Sequence, residues 1–285
     1  MEQPTFFGEL VQLQAHEDVD DDFLTHVDAS YTVCCEATDS DAKQPLDTLM
    51  VAVGTHATEF ARLFLLPSES TDKRAQMQPW ARIRLTPNCA LSDRQYVANV
   101  HLLQSVSDAQ SNIAAVLTMQ ATPPDAFAAA LWTKTVSLFS TGPTKVISLS
   151  TQAARLYRCS GRQVASLRQL ATERAHREWT CLFDGSQGSA IPRLQPPNLL
   201  DGLPAAALSR CARDGVPGCA LVAAFESLSR RDSLQTMTAF VQPVRALLRS
   251  HDRRCCRLFP LSSMDDQRVN EQLEKTNFLE QQRYA

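Results

Sequence analysis

Three short stretches constrain this 285-residue chain more than any other feature. They are Thr48-Leu49-Met50-Val51-Ala52-Val53, Thr144-Lys145-Val146-Ile147-Ser148-Leu149 and Cys219-Ala220-Leu221-Val222-Ala223-Ala224-Phe225. Each is nearly continuous in apolar residues instead of alternating, and each has the length of a strand, which is the pattern of a strand covered on both faces. The stretches between them carry helical spacing. A helix is expected over 57–66, directly after Gly54. A second opens at Pro123-Pro124-Asp125 with Phe127, Ala130, Leu131, Val136 and Phe139 near helical register, and Gly142-Pro143 stops it. A third starts at Asp201-Gly202-Leu203-Pro204 with alanines behind it and breaks at Val216-Pro217-Gly218. A fourth, over 233–248, places Met237, Phe240, Val241, Val244 and Leu248 on one face, and Pro243 within it implies a kink or an earlier stop. Strands alternating with helices predict an α/β layered sandwich, with a central, mostly parallel or mixed sheet flanked by helices.

The remaining segments are less regular. Strands over 96–103 and 112–119 around a polar turn predict a hairpin. The stretch 67–88, with Pro67, Pro79 and Pro87, reads as a loop held to the body by Trp80 and Ile83. Within 151–197, Arg155, Arg158, Arg162, Arg168, Arg174 and Arg177 form either a solvated helical face or a basic interaction patch. The chain divides into an N-terminal extension over 1–45, an α/β domain over 46–260, and a C-terminal helix with an exposed tail over 261–285. The extension contains the acidic run Glu17-Asp18-Val19-Asp20-Asp21-Asp22 and reads as extended or mobile. Ahead of that run, Thr5-Phe6-Phe7-Gly8-Glu9-Leu10-Val11 is an apolar patch that serves either as an edge strand or as a docking segment for a partner.

Hydrophobic content of 44% with 21% charged residues belongs to a globular chain. A net charge of −3 supplies no field to gather polyanions, so neither nucleic acid nor an anionic membrane is the expected partner. No apolar run approaches the roughly 18 residues of a membrane span, and the start lacks a secretory leader pattern. Nine cysteines, an odd number without a Cys-x-x-Cys, suit a reducing cytoplasm and free thiols packed as small core residues. The six histidines are scattered singly, and no metal site or cofactor is expected. The signatures of a phosphate loop, a nucleophile elbow, a zinc helix and a zinc deaminase are missing. Cysteine–histidine combinations such as Cys181 with His176, or Cys211 with His56, have no supporting spacing. A glycine-led turn at Gly54 is too sparse for a dinucleotide fingerprint.

The chain ends in Arg283-Tyr284-Ala285. A penultimate tyrosine beside a terminal carboxylate can fill a pocket and pair with a lysine inside it, or it can simply fray. Three stretches carry a family resemblance: Thr5 to Glu9, Leu49 to Phe64 around Val51-Ala52-Val53-Gly54, and Pro197-Asn198-Leu199-Leu200-Asp201-Gly202-Leu203-Pro204-Ala205-Ala206-Ala207-Leu208-Ser209. On these the sequence resembles the proteasome α-ring assembly chaperones. The resemblance implies a non-enzymatic protein that forms a heterodimer with proteasome assembly chaperone 2 and binds proteasome α subunits. It also implies a hydrophobic-tyrosine-any-residue tail that docks on the ring, with Tyr284 and Ala285 matching and Arg283 departing from the hydrophobic position. The start segment Thr5, Phe6, Phe7, Gly8 and Glu9 is implicated in the same contact. The alternative class is a small-molecule, nucleoside-type enzyme on a similar scaffold, since fold does not fix function.

Overall fold

The computed structural model describes residues 31–37, 43–67, 75–87, 96–105, 113–123, 125–153, 167–183, 190–196, 198–225, 230–249 and 257–283. Eight strands form one mixed sheet in the order β1-β3-β4-β5-β2-β6-β8-β7. They are β1 (Tyr31–Ala37), β2 (Thr48–Val53), β3 (Ala75–Pro87), β4 (Tyr96–Ser105), β5 (Ile113–Met119), β6 (Lys145–Ala153), β7 (Leu167–Ala171) and β8 (Gly218–Phe225). β2 lies parallel to both β5 and β6, and β6 lies parallel to β8. The outer strands run antiparallel: β4 on β5, β3 on β4 and β1 on β3 at one side, β7 on β8 at the other. The expected layered α/β sandwich is the fold observed.

Helices cover both faces. One core holds Met50 and Ala52 of β2 with α1 (Thr55–Phe60, continued by a π turn over Ala61–Leu65), α6 (Arg230–Arg249) and α7 (Pro260–Ser263). Trp179, which follows the short α3 (Glu173–Glu178) and precedes α4 (Thr180–Phe183), belongs to this core as well. Phe60 packs its ring 5.2 Å from Phe64 and 5.5 Å from Phe240, which ties α1 to α6. The opposite core holds Leu49, Val51 and Val53 with α2 (Asp125–Ser137) and α5 (Gly202–Arg213). The alternation of β2 side chains between these cores is the period-2 pleat, and every residue of β2 is buried.

Several sequence expectations change here. The stretch 67–88 is not a loop, because β3 runs through most of it; Pro79 sits at a register shift and Pro87 at the strand end, the places where a strand tolerates proline. Trp80 and Ile83 do anchor it, with Trp80 stacked 4.9 Å from Phe139. Within the N-terminal extension, Tyr31–Ala37 forms edge strand β1. Arg168 lies on a strand and not on a helical face: Leu167–Ala171 alternates between buried and half-buried positions. Arg174 and Arg177 fit the solvated-face reading, being exposed on α3 beside Glu178 and Glu173, while Arg155, Arg158 and Arg162 lie outside the described residues. Of the kink or earlier stop expected at Pro243, the stop does not occur, and α6 continues to Arg249. Burial of Met237, Phe240, Val241, Val244, Leu247 and Leu248 on one face outweighs the roughly 3 kcal/mol an internal proline costs.

The contact of α5 with β8 is close. A Cβ added at Gly218 would stand 2.8 Å from Cys211 Cβ and 3.2 Å from Leu208 Cδ1. Gly218→Val should therefore destabilise the fold by about 1–3 kcal/mol through overpacking, read as a lower urea midpoint with an unchanged slope. A midpoint equal to the parent's would show that α5 is not seated on this strand.

Candidate functional site

Parallel α/β sheets place ligands outside the carboxyl ends of their strands, and that crest is the first place to look for chemistry. At the end of β2, Gly54 has φ 94 and turns the chain into α1. Its N–H donates to the Met119 carbonyl at 2.8 Å, and a Cβ here would lie 2.9 Å from Thr151 Oγ1 of β6. Only glycine permits both the backbone conformation and that approach. His56, next on α1, is buried with its ring edge-on to Phe225 at 5.1 Å. On the other face, Asp125 at the start of α2 accepts a 2.8 Å hydrogen bond from the Gly202 N–H at the start of α5. Gly202 has φ 61 and stands where a Cβ would meet Thr122 Cγ2 at 2.9 Å.

These contacts clamp the fold, and among the described residues the remaining titratable groups are few. The Asp201 carboxyl is raised above the usual carboxylate range by partial burial and by the neighbouring Asp125 charge. Such a pair can mark an acid/base couple, but Asp125 is already bonded to the α5 backbone. Burial pushes the Cys211 thiol up to about 12 and raises Cys219 as well, so neither is an activated nucleophile. The Cys211–His56 combination is not assembled, because α5 and α1 pack on opposite faces of the sheet. His176 lies beyond β7 with Arg193 Nη2 at 3.2 Å and the Phe183 ring at 4.5 Å; burial and Arg193 both lower its pKa. The side chain of its partner candidate, Cys181, is outside the described residues. Among the described residues no cluster of three or more metal-ligating side chains occurs, and no helix is long and apolar enough to cross a membrane.

The docking candidates have a different setting. α8 (Asp266–Arg283) is an 18-residue polar helix, so Arg283 is its last residue, while Tyr284 and Ala285 lie outside the described residues. Thr5, Phe6, Phe7, Gly8 and Glu9 also lie outside them. Of the distinctive stretch, Gly202 stands at the crest beside Asp125 and Thr122. Asn198 is pinned by N–H and Nδ2 bonds to the Gln195 carbonyl at 3.0 and 2.8 Å, and the neighbouring Leu199 is 62% exposed. Leu199 is the one large hydrophobic residue so exposed among the described residues. Sequence reasoning singled out its stretch as a whole without singling out this side chain.

No family model matches the chain, and no curated protein matches it. Solved structures do. The crystal structure of Pyrococcus furiosus PbaB, an archaeal proteasome activator, is similar at TM-score 0.51 and 13% identity, covering 90% of this chain and 99% of that one. Pyrococcus furiosus PbaA, an archaeal homolog of proteasome-assembly chaperone, gives TM-score 0.40 and 11% identity over 86% and 100% of the two chains. A futalosine hydrolase mutant of Helicobacter pylori gives 0.41 and 10% over 71% and 99%. The likeness to PbaB shows a shared fold across nearly the whole of both molecules. The other two superpose too loosely to weigh on function.

The thiol settings are directly testable. Iodoacetamide at pH 8 should leave Cys211 and Cys219 unmodified in the native protein and label both in denaturant, scored by peptide mass spectrometry. Rapid native labelling of Cys211 would mean that α5, which carries it, is not seated on β8.

Proposed function

We propose that this chain takes the part of proteasome assembly chaperone 1. It forms a heterodimer with proteasome assembly chaperone 2, binds proteasome α subunits, promotes α-ring formation of the core particle and prevents off-pathway association, all in the cytoplasm. It does so without catalysis, metal or cofactor. The observation that carries this reading is the family-like stretch 197–209, which builds the start of α5 and presents Leu199 on a pinned turn. The fold shared with PbaB supports it further.

The physical logic is that of an assembly factor. It must hold incomplete rings and leave finished ones, so its contacts should each be modest and sensitive to ring geometry. Short terminal anchors added to a rigid face achieve this through effective concentration. α8 ends at Arg283, the residue before Tyr284 and Ala285 in the sequence, and Arg283 can lay its aliphatic stem along apolar surface in place of the family's hydrophobic residue. The nucleoside-type enzyme has less support. Its best acid pair, Asp125 and Asp201, is committed at Asp125 to capping α5.

Coexpression of the tagged chain with proteasome assembly chaperone 2 and α subunits should yield a complex of all three. Deleting Tyr284 and Ala285 should cut α-subunit recovery by about tenfold, the equivalent of roughly 1.4 kcal/mol, and leave the partner chaperone bound. Loss of the partner chaperone in that variant would sink this division of roles.

A further inference from the structure

The joint between α6 and α8 holds a side chain that neither the fold nor the proposed contact has yet used. Arg245 of α6 is a charged residue with only 7% of its side chain exposed. Its Nη1 donates to Asp266 Oδ1 at 2.5 Å, and Asp266, the first residue of α8, is itself 76% exposed. The Arg245 Nε and Nη2 atoms are buried without a hydrogen-bond partner. Gln242 Nε2 reaches the same Asp266 oxygen at 3.4 Å, and Arg249 Nη2 donates to the Ser262 carbonyl just ahead of the helix at 3.1 Å. Asp265 caps α8 by accepting from the Arg268 N–H at 2.8 Å. Past this point the described attachments to the core are Val269, which is buried, and Leu273, which packs against it. Gln267, Arg268, Asn270, Glu271 and Glu274 are exposed.

Two magnitudes follow. With 18 residues at roughly 1.5 Å each, α8 is about 27 Å long, so a tilt of roughly 10° at its base carries its end about 5 Å. That displacement is longer than a hydrogen bond, so an end group moved by it leaves its contact. The second concerns charge: a buried guanidinium that loses its counter-ion is strongly destabilised. Here the least disruptive relief is for α8 to lift at its base and admit water, since Asp266 already faces solvent.

We infer that the Arg245–Asp266 pair is a latch that sets the direction in which α8 leaves the body, making Arg245 a positioning residue for the α-ring contact of the tail. This rests on the reading that Tyr284 and Ala285 engage α subunits. The pair acts at the base of the lever and touches no partner. Neutralising it frees the helix direction while the sheet and its two cores persist.

The test uses the full chain with proteasome assembly chaperone 2, comparing Asp266→Asn, Asp266→Glu and the tail deletion. Asp266→Asn should retain the partner chaperone and a melting temperature within a few degrees of the parent, accelerate amide exchange along 266–283 and reduce α-subunit recovery about tenfold. Asp266→Glu, which keeps the charge, should restore both. Combining Asp266→Asn with the tail deletion should cost no more recovery than the deletion alone. Full recovery by Asp266→Asn while the tail deletion loses it would overturn the latch and spare the functional reading. If the parent chain recovers no α subunits, that reading fails instead, and the exchange experiment still decides the latch: unchanged exchange along α8 in Asp266→Asn would refute it.

Discussion

Everything in this molecule hangs on β2, whose six residues are all buried and whose side chains feed two separate cores. Met50 and Ala52 point into the layer with α1 and α6, and Leu49, Val51 and Val53 into the layer with α2 and α5. Each large apolar side chain so buried contributes roughly 1.5–3 kcal/mol. A strand hydrogen-bonded on both edges and covered on both faces also has no polar backbone left to satisfy elsewhere. The parallel neighbours β5 and β6 are fixed by it in register, and the antiparallel outer strands extend the same sheet.

At the crest, the described residues are largely taken up in holding the fold together. Gly54 turns the chain so tightly that its backbone lies against Thr151, and Gly202 does the same against Thr122. Asp125 spends a hydrogen bond on the α5 backbone, His56 lies edge-on to Phe225, and the two buried thiols are protonated at neutral pH. What the molecule offers outward is the pinned turn at Leu199 and a long polar helix fixed at its base. The proposed assembly role rests on those outward features.

The β2, β6 and β8 strands were legible because a strand buried on both faces must be apolar at successive positions, and no other short element has that need. β3 was hidden by Pro79 and Pro87, which a strand accepts only at irregularities and ends. β7 was hidden because Arg168 belongs to the outward half of an alternation five residues long. β1 is an edge strand paired on one side with β3, a partner far along the chain, so its local sequence need not announce it. The contacts that organise the site are nonlocal in the same sense. Asp125 meets Gly202 across 77 positions and Arg245 meets Asp266 across 21, and no periodicity within either segment encodes a meeting with the other. The pairing of Arg245 with Asp266 is of this kind, visible only once the helices are packed.

The central claim, that this chain works in company on an unfinished proteasome, is tested most directly by native mass spectrometry of the tagged chain recovered gently from its own cells. The account predicts a one-to-one companion of similar size together with α subunits, in particles lacking the mature proteolytic subunits. A chain that emerges alone, or with a small molecule bound, would contradict it.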